Sequence, residues 1–317
     1  MSRHIHQPPD ALQAPRFTGP RTFARLPLVE ELADGEADCA VLGLPWDGGT
    51  SFRSGARFGP EAIRSASSLL RPYNQAQGVQ VFGALSIVDG GDAPTVPGYI
   101  EDTLERIERF VGGVVASGAV PLAMGGDHSV TLAELRALSA VRGPLALVHF
   151  DAHADLWDSY NERPLSHGTF ARRALEEGIV DGGRSIQLGL RGPLYGPEDV
   201  ELGGRFGMTQ IPCEELLATP PAEVGDRVRG VVGNGPAFLS FDVDFLDPAF
   251  CPGTGTPEVA GPSSREALAY TRALRGIDFA GFDVVEVAPQ YDGPGQATAL
   301  FAANALYEML SLVALGR

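Results

Sequence analysis

Short runs rich in β-branched and aromatic residues recur at 39–44, 86–89, 120–124, 145–150, 185–190, 238–241 and 281–287, and each predicts a strand. Several are apolar at every position, the pattern of strands whose sheet is covered on both faces. Between them, apolar residues at helical spacing predict helices near 60–70, 99–117, 130–139, 169–178, 264–274 and 297–315. Pro60 suits the first turn of its helix, where a missing N–H costs nothing. Strand and helix alternate over the whole length. That predicts one α/β domain: a doubly wound, mostly parallel sheet with helices on both faces. Gly- and Pro-bearing stretches at 193–196 and 251–255 read as loops inside this domain, which is expected over 16–317 behind a mobile N-terminal tail at 1–15.

Composition narrows the functional classes. No apolar run approaches the roughly 18 residues of a membrane span, and the polar N-terminus lacks the core of a signal peptide, so a cytoplasmic protein with no membrane partner is expected. Cys39, Cys213 and Cys251 lie far apart, which predicts three reduced thiols and neither a zinc finger nor a disulfide framework. A formal net charge of −16 disfavours nucleic acid and would attract a small cationic or zwitterionic molecule instead. Apart from histidine, every basic side chain is arginine. A chain without lysine has neither a pyridoxal-phosphate Schiff base nor a Walker A loop.

The chemistry-bearing residues gather at predicted strand ends, where open parallel sheets bind ligands. Asp151-Ala152-His153-Ala154-Asp155 sets three ligand-type side chains at alternate positions, which extended backbone would turn to one side. Asp242-Val243-Asp244 repeats the device, and His128 in Gly125-Gly126-Asp127-His128-Ser129 adds an imidazole. Four carboxylates this close would raise one another's pKa unless cations balance them, so two divalent metals are expected, with Asp151 and Asp242 placed to bridge. Oxygen-rich ligation without thiolate favours manganese, with nickel, iron or cobalt as alternatives, over structural zinc. His149 shares the alternation but sits deeper in its strand and reads as a hydrogen-bonded core histidine.

These segments resemble the signatures of the arginase/agmatinase (ureohydrolase) family, together with Ser240-Phe241-Asp242-Val243-Asp244-Phe245-Leu246-Asp247-Pro248, Ser166-His167-Gly168-Thr169 and Glu286-Val287-Ala288-Pro289. The resemblance runs from about Arg16 to Leu315. It implies two Mn2+ ions (Ni2+ possible), one on His128, Asp151, Asp155 and Asp242, the other on Asp151, His153, Asp242 and Asp244. It further implies hydrolysis of a guanidino C–N bond with release of urea. In that reaction Asp155 orients the nucleophile, His167 moves the proton and Glu286 grips the guanidinium. A homo-trimer or hexamer is implied as well.

Ser-His-Gly-Thr resembles the agmatinase branch, which implies agmatine or an ω-guanidino acid as substrate, with free or small substituted guanidines as the alternative; the stretches 15–27 and 49–74 look most like hydrolases of guanidinobutyrate and guanidinopropionate. Trp157, Tyr160 and Asn161, in the loop after the metal segment, are the expected substrate contacts. Three competing readings remain. A binuclear phosphoesterase would carry a Gly-Asn-His-Glu element, which the chain lacks. A zinc deacetylase would not need all six ligands, and a non-catalytic partner subunit would have lost some.

Overall fold

The computed structural model describes residues 5–317. Its main sheet contains β1 (Cys39–Leu44), β2 (Ile87–Asp92), β3 (Val120–Gly125), β4 (Ala146–Phe150), β5 (Ile186–Leu190), β6 (Thr209–Pro212), β7 (Ala237–Asp242) and β8 (Phe279–Val285). They lie in the order β2-β1-β3-β8-β7-β4-β5-β6, and every neighbouring pair is parallel. The expected doubly wound α/β architecture is present. One short antiparallel hairpin, Tyr73–Asn74 with Val79–Gln80, stands apart.

Successive side chains of a strand face opposite ways, and here both ways lead into a core. Cys39 and Val41 join one cluster with residues of α1 (Gly59–Ser67), among them Ile63. Ala40, Leu42 and Leu44 join a second with Ile107 and Val111 of α2 (Ile100–Ala116), Leu135 and Leu138 of α3 (Thr131–Arg142), and Phe170 and Ala174 of α4 (Phe170–Glu176). Uninterrupted apolar runs follow directly from this double burial. The first core is completed from α5 (Cys213–Ala218), α6 (Pro221–Val232), α7 (Ser264–Ala273) and α8 (Ala297–Leu315).

Two expectations need correction. Strand β6, α5 and α6 were not predicted. Strand β6 is a short edge strand ending on Pro212, and α6 carries Gly225 and Gly230, which weaken its helical signal. Gly225 is there because a side chain would collide with the Ala273 carbonyl of α7. Second, α8 is long and apolar enough to cross a membrane by length and composition, contrary to the sequence reading. It is a core helix, 72% buried in its most apolar window, and Asn74 and Gln77 donate to its Glu308 at 2.9 and 2.7 Å. Near the N-terminus, His6 meets the edge of the sheet. Its N–H donates to Ser86 Oγ (3.1 Å) and its carbonyl accepts from Ile87 N–H (3.3 Å), a group that the edge strand β2 would otherwise leave open. Residues 1–4, His4 included, lie outside the described residues.

Candidate metal centre

Four strands adjacent in the middle of the sheet, β3, β8, β7 and β4, end on the candidate residues. After β3 the chain turns through Gly126, where a side chain would run into the Trp46 carbonyl, and presents His128. After β8, Glu286 N–H donates to Gly126 O at 2.8 Å, which locks the two strand ends together. Glu286 holds a left-handed φ of 65° and Asp155 one of 52°, conformations that non-glycine residues adopt at a cost of order 1–3 kcal/mol.

The expected extended alternation is not what gathers the ligands. Strand β4 stops at Phe150, and Asp151 to Asp155 form a loop held by its own side chains, with His153 N–H donating to Asp151 Oδ1 at 2.6 Å. Asp242 likewise caps a short turn by accepting from Asp244 N–H at 2.7 Å. Convergence therefore comes from turn chemistry at the strand ends.

Two ligand groups result. His128, His149, Asp151 and Asp155 form one; Asp151, His153 and Asp244 form the other. Asp151 belongs to both. Its Oδ2 lies 3.1 Å from His128 Nδ1, while its Oδ1 lies 3.4 Å from His153 Nδ1. Asp155 Oδ2 and Asp242 Oδ2 also approach His128 Nδ1, at 3.1 and 3.3 Å, yet that buried nitrogen makes no hydrogen bond to any described residue. A nitrogen ringed by three carboxylate oxygens and bonded to none is the arrangement of donors waiting for a cation. His149 is better read as a support for Asp151. Its Nε2 reaches Asp151 Oδ2 at 2.9 Å and its Nδ1 meets Gln187 Nε2 at 3.0 Å, so neither nitrogen is left for a metal.

The electrostatics point the same way. Burial, then repulsion from Asp244 and Asp151, pushes Asp242 well above the usual carboxylate range, and burial with the charge of Asp151 takes Asp244 to about 6. Burial opposes ionisation of Asp151 too, but the imidazoles of His128, His149 and His153 around it hold it well below that range. The six expected ligands, His128, Asp151, His153, Asp155, Asp242 and Asp244, fit two divalent ions.

His167 and Glu286 meet beside this cluster, His167 Nδ1 to Glu286 Oε1 at 2.9 Å. On its far side, His167 Nε2 is 2.7 Å from Ser51 Oγ, a partner that no motif in the sequence marked. Glu286 Oε1 also accepts from His128 N–H at 3.0 Å, whereas the buried Oε2 has no partner among the described residues. Burial alone would lower the His167 pKa, but the bond to Glu286 and the charges of Glu286, Asp155 and Asp127 raise it from 6.5 to about 9. In the metal-free protein this pair contributes stability in full below pH 6.5 and loses it as pH rises through about 9. His167→Gln should therefore lower the melting temperature more at about pH 6 than at about pH 9.5; an equal deficit at both would contradict the assignment.

A cavity of about 830 Å³ opens over the centre, lined among others by Ser51, His153, Asp155, Trp157, Tyr160, His167 and Glu258. Trp157 stacks on Tyr160 with centroids 5.7 Å apart, and Tyr195 leans on it at 5.5 Å. Asn161 departs from expectation. With φ of 49° it occupies an exposed two-residue turn closed by the Tyr160–Arg163 backbone pair, a position that suits asparagine conformationally and takes it off the cavity wall. Arg191, also on the wall, donates to the carbonyls of Gly189 (3.3 Å), Asp244 (2.7 Å), Phe245 (3.0 Å), Leu246 (3.2 Å), Glu258 (2.8 Å) and Val259 (3.0 Å).

Comparison with known proteins agrees with this geometry. The model of the arginase family matches residues 37–311. The chain belongs to the arginase family. A guanidinopropionase of Pseudomonas aeruginosa is 46% identical over 315 residues, covering 99% of this chain and 98% of that one. A guanidinobutyrase of the same organism is 42% identical over 314 residues, with the same coverages. Among solved structures, the proclavaminate amidino hydrolase of Streptomyces clavuligerus superposes with a TM-score of 0.91 at 36% identity, over 96% of this chain and all of that one. As an arginase-family chain, it resembles relatives at nearly full length.

Proposed function

We propose that this arginase-family protein is a binuclear-metal ureohydrolase that releases urea from an ω-guanidino acid of the guanidinopropionate or guanidinobutyrate type. The observation that carries the reading is Asp151, whose two oxygens turn toward two different imidazoles and so define two neighbouring metal positions. His128, Asp155 and Asp242 would hold one ion with it, and His153 and Asp244 the other. Manganese suits this set of oxygens and imidazoles, and nickel is the alternative. When bound, two such ions make hydroxide available at neutral pH.

The chain's own groups supply the rest. Glu286 Oε2, buried and unpartnered, is an acceptor for a guanidinium N–H. A bidentate grip is not open to it, because Oε1 already serves His128 and His167. Asp155, on the cavity wall, takes up the proton of the attacking water at its carboxylate. His167, held by Glu286 at Nδ1 and facing the cavity beside Asp155, is the group placed to pass a proton to the departing amine. Trp157 and Tyr160 would pack against the substrate's alkyl chain. The same reading makes the enzyme a cytoplasmic homo-trimer or hexamer, consistent with Cys39, Cys213 and Cys251 being buried and free.

One observation favours a second reading of the substrate. Arg191 is the sole arginine among the described wall residues, and its guanidinium is committed to backbone carbonyls. No free guanidinium on that wall awaits a carboxylate, and Glu258 adds negative charge, which suits agmatine or free guanidine.

The deciding experiment measures urea release by manganese- and nickel-loaded enzyme from guanidinopropionate, guanidinobutyrate, agmatine, arginine and guanidine. Turnover of a guanidino acid ahead of the others supports the first reading, and turnover of agmatine or guanidine the second. Silence across the panel with both metals bound would overturn the ureohydrolase assignment.

A further inference from the structure

Behind the metal cluster, on the side away from the cavity, lies a second set of polar groups in an otherwise apolar core. His128 Nε2 is 2.8 Å from Ser240 Oγ. Ser240 Oγ donates to Asp283 Oδ1 at 2.7 Å, with Phe241 N–H on the same oxygen at 3.2 Å, and Thr131 Oγ1 donates to Asp283 Oδ2 at 2.6 Å. Glu134, on α3, lies beside Asp283 with both carboxylate oxygens buried and without a partner among the described residues. All of these side chains are buried, and Glu134, Ser240 and Asp283 are fully so. Ser240 and Asp283 are direct cross-strand partners in β7 and β8, so the sheet register itself brings them together.

The bonds have a direction. Asp283 receives three donors and is the anion. Neither oxygen of Glu134 receives any donor among the described residues, and two buried carboxylates side by side without a cation do not both ionise. Glu134 is therefore the neutral acid, donating its proton to Asp283; burial and the adjacent Asp283 charge, which push it well above the usual carboxylate range, agree. With its hydroxyl proton directed to Asp283, Ser240 can only accept from His128. That places the imidazole proton on Nε2 and leaves the Nδ1 lone pair facing Asp151, Asp155 and Asp242. Phe170, stacked on the ring at 4.2 Å, restrains its tilt.

We propose that Ser240, Asp283 and Glu134 form a one-way hydrogen-bond chain that selects the His128 tautomer presenting a lone pair to the metal. They are positioning residues: none touches substrate, and each acts through His128. The inference rests on reading His128 as a ligand.

The test is metal binding rather than turnover. Metal-free wild type and variants are titrated with manganese, and stoichiometry and dissociation constants are read, with thermal melts as folding controls. Ser240→Ala should weaken one of the two sites by about 10–100-fold, the range for loss of a partner behind a metal ligand. Glu134→Gln keeps a neutral donor toward Asp283 and should bind like wild type, whereas Glu134→Leu, which suits the surrounding apolar residues, should weaken the same site as Ser240→Ala. If Glu134→Gln and Glu134→Leu weaken binding equally, or if folded Ser240→Ala binds both ions as wild type does, the chain does not act as proposed. A wild type binding fewer than two ions would overturn the metal-centre reading and this inference with it.

Discussion

Asp151→Ala should abolish urea release, with activity falling by more than about a hundredfold, beyond the 10–100-fold typical of losing an outer partner of a metal ligand. Its position explains the size. Asp151 is the residue common to both ligand groups, so its removal takes one anchor from each. His128, His149 and His153 all lean on its carboxylate and would lose that partner together. Elemental analysis should show fewer than two metals per chain, while circular dichroism stays that of a folded α/β protein. Near wild-type turnover with two metals still bound would remove Asp151 from the centre.

Glu286→Gln should produce the second large effect, and of a different kind. Glutamine retains an oxygen to accept from His128 N–H and His167, so the local structure and the metal content should persist. What disappears is the negative charge toward the guanidinium. Truncating one side of a buried charge pair costs roughly 2–5 kcal/mol, which at about 1.4 kcal/mol per tenfold is a loss of kcat/KM of roughly thirtyfold to several thousandfold. Unchanged kcat/KM with full metal content would show that the guanidinium binds elsewhere. The two variants separate metal assembly from substrate binding, since one changes metal content and the other should not.

Much of this architecture is legible in the sequence. Strand β1 falls where its apolar run lies, because a strand buried on both faces leaves an unmistakable signal at every position. The signal fades at the edge: β6, Thr-Gln-Ile-Pro, is only partly buried and has no reason to be apolar throughout. The ligands were legible for a different reason. Carboxylates and imidazoles at successive strand ends are expensive to bury without a cation, so their residue types announce them even when the local backbone is misjudged. At Asp151–Asp155 the alternation predicts extended backbone, but the side-chain bonds that fold the loop, and the left-handed Asp155, follow no periodicity. Ser51, Gln187 and Arg191 stayed hidden because their roles depend on what lies across the sheet. A lone serine or arginine carries no pattern of its own.

Arg191 has a further consequence. Six carbonyl dipoles converging on a cation are what a loop offers to a dissolved ion, and here the cation is covalently part of the chain. The segment bearing Asp244 and Glu258 is thus folded around a charge that cannot diffuse away. Loss of metal removes the attraction between the ligands but not the charge that orders this loop. The entropy of ordering the second ligand group is met during folding, and an arriving ion finds Asp244 already in place.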